Sequence, residues 1–349
     1  MTMIDFWRKW RAELLRGSVI FVAVVAVGLA LISAVRSGAD KVRNRARDFI
    51  PQLAQGFTSG LGGNFDDPGR NHGATWSWHS KLNPGQTLTL RDLNGPVEVT
   101  PAPGTETVVT AERSWLTSDP NSVTIQAVPT SSGTMICAIW PGSNGTECTA
   151  GHDVNFRFDG KQHNDVAVKF LVQLPRGVKI DVGSVNGDVD VSGAQGGVTV
   201  NTVNGDLSVQ TSAWPVNLTT VNGDITATAG APGPESASVK SVNGDVSLSL
   251  PEHLNLVVKA HSVTGDISND FSIPVTEPKY GPSHSMSGTL GTGGGVLDIN
   301  TVSGDITLSK ATASSVHVWS VKKHHGVAVV APAAPAAPAP VAAPPHPPR

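Results

Sequence analysis

The sequence predicts an all-β fold: a parallel β-solenoid built of short repeats of about 18–21 residues, preceded by one N-terminal transmembrane helix. Three observations predict it. One phrase returns six times, as SVNGD at 184–188 and 241–245, TVNGD at 202–206 and 220–224, SVTGD at 262–266 and TVSGD at 301–305. Apolar residues alternate with polar ones beside every copy, the period of a strand with one face in a core. A strongly apolar run without charge, Ser18 to Val35, reads SVIFVAVVAVGLALISAV between basic flanks.

That run comes first along the chain. Eighteen helical residues reach ~27 Å, close to the thickness of a bilayer core. A cleaved signal peptide is the competing reading. The long stretch before the run, and the lack of a small-x-small cleavage site after it, favour an uncleaved anchor. Lys and Arg are nearly balanced across it, so charge alone does not orient the span. Long domains translocate largely regardless of such charge, which places the body outside the cytoplasm. The expected organisation is a basic cytoplasmic end (1–17), an anchor (18–35), a juxtamembrane neck (36–74), a repeat domain (75–312) and a Pro/Ala-rich tail (313–349). The tail ends APAAPAAPAPVAAPPHPPR, which favours extended polyproline II and cannot build a core.

In SVNGDVDVSG, Val185 precedes the turn, and Val189 and Val191 follow it at alternate positions. Leu207 and Val209, Ile225 and Ala227, Val246 and Leu248, and Ile306 and Leu308 repeat the pattern. Asn-Gly readily takes positive φ, so each phrase is a tight corner between two short strands. The expected corner residues are Asn186, Gly187 and Asp188; Asn204, Gly205 and Asp206; Asn222, Gly223 and Asp224; Asn243, Gly244 and Asp245; Gly265 and Asp266; and Gly304 and Asp305. GVTVN at 197–201 and NLTT at 217–220 supply the second strand of their units. The corner glycines lie 18, 18, 21, 21 and 39 residues apart. The last gap suggests a degenerate copy around SGTLG or GGGVLDI, and LNGPVEV at 93–99 reads as a weak early copy. Such self-similarity marks units that bury their apolar faces only by stacking.

Stacked rungs would align the aspartates in a file at ~4.8 Å spacing. Two unit charges that far apart in water repel by about 0.9 kcal/mol before salt screening. Backbone N–H groups at the turn offer one compensation, and the asparagines offer an amide ladder beside them. A file of Ca²⁺ ions is the alternative, but no second oxygen ligand recurs beside each Asp. A β-helix carbohydrate-active enzyme could pair Asp188 with Asp206. Equivalent groups at every rung suit a scaffold better than catalysis, which needs different groups in different roles.

Composition narrows the rest. Charged residues make up only 15%, against 37 Gly and 25 Pro, a balance that favours short strands and many turns. The first fifty residues hold nine Lys or Arg against four acids; the remainder holds sixteen against twenty-four. An acidic body argues against nucleic acid as a partner. No cofactor motif or metal-ligand spacing appears. Cys137 and Cys148 flank the turn-rich WPGSNGT; in an exported domain they form a disulfide, or they stand as two thiols. Trp76 and Trp78, in TWSWHS, fall on one side of a strand; such a pair can stack on sugar rings, and suits better the capping of a solenoid end.

GQTLTLRDLNGPVEVTPAPGTETVVTAERSW, VQLPRGVKIDVGSVNGDVDVSG and the recurring TVNGDI/L together resemble the bacterial putative-adhesin family, the toastrack-type β-strand-repeat domain of unknown function, over about residues 82–310. The resemblance implies a β-solenoid placed at a surface or envelope, and brings no catalytic residues with it. The expectation is therefore a non-enzymatic, single-pass bacterial envelope protein. Its repeat domain would be a binding, adhesion or envelope-stress scaffold outside the cytoplasm. Its partners would be an envelope protein, a glycan or a further copy of itself.

Overall fold

The computed structural model describes residues 65–141, 148, 164–278 and 281–311. The expected cytoplasmic end, anchor, most of the neck and the Pro/Ala-rich tail lie outside the described residues. No helix among the described residues is long and apolar enough to cross a membrane.

The described chain is β almost throughout. β1 (Asn71–Ser80), β2 (Thr87–Arg91), β3 (Val97–Pro101), β4 (Thr107–Trp115), β5 (Thr124–Thr130), β6 (Gly133–Ile139) and β7 (Ala167–Leu174) build the N-terminal third. The regular repeats follow as β8 (Lys179–Gly183), β9 (Val189–Ala194), β10 (Val198–Asn201), β11 (Leu207–Thr211), β12 (Val216–Thr219), β13 (Ile225–Thr228), β14 (Ala237–Asn243) and β15 (Val246–Leu250). The C-terminal third holds β16 (Leu256–Thr264), β17 (Ile267–Asn269), β18 (Val275–Thr276), β19 (His284–Leu290), β20 (Gly295–Ser303) and β21 (Ile306–Lys310).

These strands form two long open sheets. One runs β1-β4-β7-β3-β9-β11-β13-β15-β21-β17; the other runs β18-β19-β16-β20-β14-β12-β10-β8-β2-β6-β5. Each corner phrase carries the chain from the second sheet to the first, so one strand of each sheet makes a rung. Rungs pair in parallel and in strict register: Val189, Leu207, Ile225, Val246 and Ile306 lie side by side, and so do Val191, Val209, Ala227, Leu248 and Leu308. All ten are buried in one continuous core with Ile180, Val182, Val198, Val200 and Leu218 of the other sheet. A fully buried Val, Leu or Ile contributes about 1.5–3 kcal/mol. No rung has enough of them to stand alone, so the stack is the folding unit.

LNGPVEV is a true rung: β2 and β3 pair with β8 and β9, and Asn94 bridges Asn186. The 39-residue gap has a different cause from the one expected. Among the described residues no degenerate rung lies within it. SGTLG belongs to β19, an antiparallel strand on the edge of β16. GGGVLDI leads into β20, a strand of the last rung itself. That last rung does not stack at the end. β20 and β21 lie between β14/β15 on one side and β16/β17 on the other. The N-terminal end has a similar departure from chain order, with β2/β3 held between β6/β7 and β8/β9.

Antiparallel strands finish three sheet ends: β4 and β1 beyond β7, β5 beyond β6, and β19 with β18 beyond β16. Bare parallel edges would invite further pairing. Trp76 and Trp78 of β1, with Trp115, are half-buried against the core at the N-terminal end. β6 is buried on both faces. Ile136 and Ala138 enter the main core, while Met135 and Cys137 meet Cys148, Val128 and Ile139 in a separate cluster. Cys137 and Cys148 are joined by a disulfide, with Cα atoms 5.8 Å apart.

Candidate functional site

The repeated phrase produces one continuous feature, a column of corners along the solenoid. The structure brings Asn186, Asn204, Asn222 and Asn243 together as successive parallel bridges. Each side-chain amide donates to the amide oxygen of the preceding rung: Asn204 to Asn186 at 2.8 Å, Asn222 to Asn204 at 2.8 Å, and Asn243 to Asn222 at 2.9 Å. At the next two rungs Ser303 and Thr264 replace Asn and the amide ladder stops.

The glycines stand one residue further on. Gly187, Gly205, Gly223, Gly244, Gly304 and Gly265 all have φ between +149° and +159°. A Cβ on any of them would lie 1.9–2.2 Å from the corner carbonyl oxygen of the rung below. Only a residue without a side chain lets the rungs approach so closely.

The aspartates form the file that register demands, and its repulsion is compensated locally. Asp188 Oδ1 accepts the N–H of Asp206, and the same bond links Asp206 to Asp224, Asp224 to Asp245, Asp245 to Asp305, and Asp305 to Asp266, all at 2.8–2.9 Å. A hydrogen bond to a charged group contributes about 1.5–3 kcal/mol net. That exceeds the ~0.9 kcal/mol repulsion between neighbouring charges in water. Every one of these carboxylates is exposed. Asp188 and Asp206 are therefore neighbours, but on an open corner, with one oxygen of Asp188 bound to backbone. Among the described residues no group of three or more His, Cys, Asp or Glu is arranged to hold a metal ion.

A third file lies two residues before each Asn-equivalent position. Thr220, Ser241, Thr301 and Ser262 are buried, and each hydroxyl donates to the corner carbonyl of the adjoining rung: Gly205, Gly223, Gly244 and Gly304, at 3.0–3.4 Å. Two residues that the corner pattern did not single out terminate this file. At the C-terminal end His284 replaces the hydroxyl, its Nδ1 2.8 Å from the Gly265 carbonyl oxygen. Its Nε2 lies 3.6 Å from Glu277 and 3.8 Å from Asp266, the last carboxylate of the file. At the N-terminal end Asp92 occupies the place of the hydroxyl. RDLNGP aligns with GSVNGD and would have revealed Asp92, whereas no corner motif adjoins His284.

An open pair of long sheets joined by stacked corners defines a β-solenoid scaffold. Residues 86–309 match the family described as Toastrack DUF4097, and the chain belongs to that family. Among solved structures, the chain is similar to a putative cell adhesion protein from Clostridium sporogenes, at 11% identity and a TM-score of 0.36, over 68% of this chain and all of that one. It is also similar to a putative adhesin from Bacteroides fragilis, at 10% identity and a TM-score of 0.33, over 68% of this chain and 97% of that one. No curated protein matches.

Proposed function

We propose that this protein is a non-enzymatic, membrane-anchored component of a bacterial envelope. Its solenoid serves as a rigid scaffold for binding or adhesion outside the cytoplasm. One observation carries the reading. The repeated residues do the same mechanical job at successive rungs, with amide bonded to amide, carboxylate to backbone and glycine against carbonyl. No rung is set apart as a reaction centre. The repetition lengthens a surface, which suits an extended partner such as a glycan or an envelope protein. The uncharged run at 18–35 supplies the tether.

The test substitutes alanine singly for Asp188, Asp206, Asp224 and Asp245 in the full chain. Thermal stability, polysaccharide hydrolysis and retention of labelled envelope material are then measured. The expected result is a modest loss of stability at each position, no hydrolysis by any variant, and retention wherever the fold survives. Loss of a hydrolytic activity in one variant of unchanged stability would replace the scaffold with an enzyme.

A further inference from the structure

Asp92 breaks the rule that fills its column. Its equivalents are Ser184, Thr202, Thr220, Ser241, Thr301 and Ser262, all small neutral hydroxyls. Its register is fixed by its own N–H, which donates to Gly183 O at 2.9 Å and sets it beside Ser184. Asp92 is wholly buried, at 0% exposure, and among the described residues neither carboxyl oxygen has an aligned hydrogen-bond partner.

Among the described residues no charged group acts on it: burial and the neighbouring backbone N–H groups are the influences on its carboxyl, and Arg70, a buried cation at this end, donates to Ser114 and to the Asp165 carbonyl. Arg91, next in the chain, is spent on Asp181, with Nη1 and Nη2 at 3.0 and 3.1 Å from its carboxylate oxygens. Arg113 of β4 donates to the carbonyls of Val123 and Ala74. Lys169 of β7 is paired with Glu98. On the β6 side, Cys137 is locked in its disulfide and does not titrate. On the β8 side stands the hydroxyl of Ser184. The 164–168 segment meets the corner through neutral bonds, Asn94 Nδ2 to Val166 O and Val168 N to Asn94 O. An ionised carboxylate here would be an isolated buried charge, which proteins avoid by holding the group neutral.

We propose that Asp92 keeps its proton in the folded protein, and that the joint between the N-terminal cap strands and the regular rungs is thereby proton-dependent. As a neutral acid, Asp92 matches the uncharged hydroxyls of its column, of which Ser184 and Thr202, the two nearest, are likewise buried without a hydrogen-bond partner. Burial raises its pKa well above the ordinary carboxylate range, against the opposing influence of the Leu93 and Asn94 N–H groups. The joint is the rung β2/β3, on which β6/β7 and the edge strands beyond them are stacked. Loss of the proton places a charge in that rung and weakens the hold of the cap.

The sign follows from linkage. Between the unfolded pKa of about 3.9 and the raised folded value, the folded state holds one proton more than the unfolded state. Stability therefore falls as pH rises through that window, and levels off above it. The experiment compares the full-length wild type with Asp92→Asn and Asp92→Ser in urea unfolding from pH 4 upward. Relative to either variant, the wild-type unfolding constant should rise about tenfold per pH unit within the window, the slope of one proton. Parallel profiles would overturn the proposal. Should neither variant fold, the ¹³C carboxyl shift of Asp92 in labelled wild-type protein decides. A protonated acid persisting well above the ordinary range upholds the joint, and ordinary titration refutes it.

Discussion

Gly223→Ala probes one of the close backbone approaches in the corner column. Gly223 has φ +149°, and a Cβ there would lie 2.1 Å from Gly205 O and 2.6 Å from Gly205 C. Both are backbone atoms of the next rung, so no side chain can swing away. Alanine in such a backbone conformation costs about 1–3 kcal/mol. Relief of the clash then requires the rungs to part by roughly 1 Å. That strains four bonds at this corner: Gly205 N to Asn222 O, Asn222 N to Val203 O, the Asn222–Asn204 amide bond and the Asp224–Asp206 bond. Losing two of the four adds about 2 kcal/mol. The expected cost is about 4 kcal/mol, a large share of the 5–15 kcal/mol that holds a typical domain folded. Gly85→Ala is the control. Gly85 has φ +88° but nothing within 4 Å of a built Cβ, so it pays the conformational cost alone, about 1 kcal/mol. Urea unfolding of both variants, followed by far-UV circular dichroism, gives the comparison. Equal losses would refute the argument that rung contact, rather than backbone conformation, fixes glycine at the corners.

Other expectations follow from the same files. Asn222→Ala removes an amide bonded on both sides and should cost about 2 kcal/mol, whereas Asn243→Ala, with one such bond, should cost about half as much in the same assay. Asp165 is partly buried, which opposes its charge, yet the Thr117 hydroxyl and the N–H groups of Thr117, Leu116 and Ser118 hold its pKa down to about 2. Its stabilisation is complete above the unfolded value of about 3.9 and fades as pH falls toward 2. Melting between pH 2 and 5 should therefore be less steeply pH-dependent in Asp165→Asn than in the wild type, and an unchanged slope would contradict this.

Much of the fold was legible because each corner states its own geometry. Asn-Gly fixed the turn, and the alternation in VDV, LSV and ITA fixed which side chains face inward. The order of the rungs was not legible. Val246, Ile267 and Ile306 offer the same apolar face in the same register, so local pattern cannot say that Ile306 lies between the other two. Chain order suggested simple succession. The antiparallel strands β18 and β19 separate the last two corners in sequence and let the later one enter first. The corner column was readable for the same reason as the turns, and the alignment of RDLNGP with GSVNGD reaches its N-terminal end, but its C-terminal end was not readable. His284 acts through a backbone carbonyl 19 positions away, on a strand with no corner of its own. Asp92 stands at a column position that the alignment gives, but the complete burial of its carboxyl without a partner emerges only from the strands packed around it.

The insertion of β20/β21 between earlier strands has a consequence for how such a molecule can change in length. Each end is interlocked, because a segment made at one time is wedged between segments made at another, and removing either member leaves a gap with no local substitute. The middle, from Asn186 to Asp245, is laid down in simple order, with every coil resting on the one synthesised just before it. Gain or loss of a whole unit is structurally cheap there and ruinous at either extremity. Variation in reach among descendants of this chain should be written in the number of central coils, while both termini stay fixed like bookends.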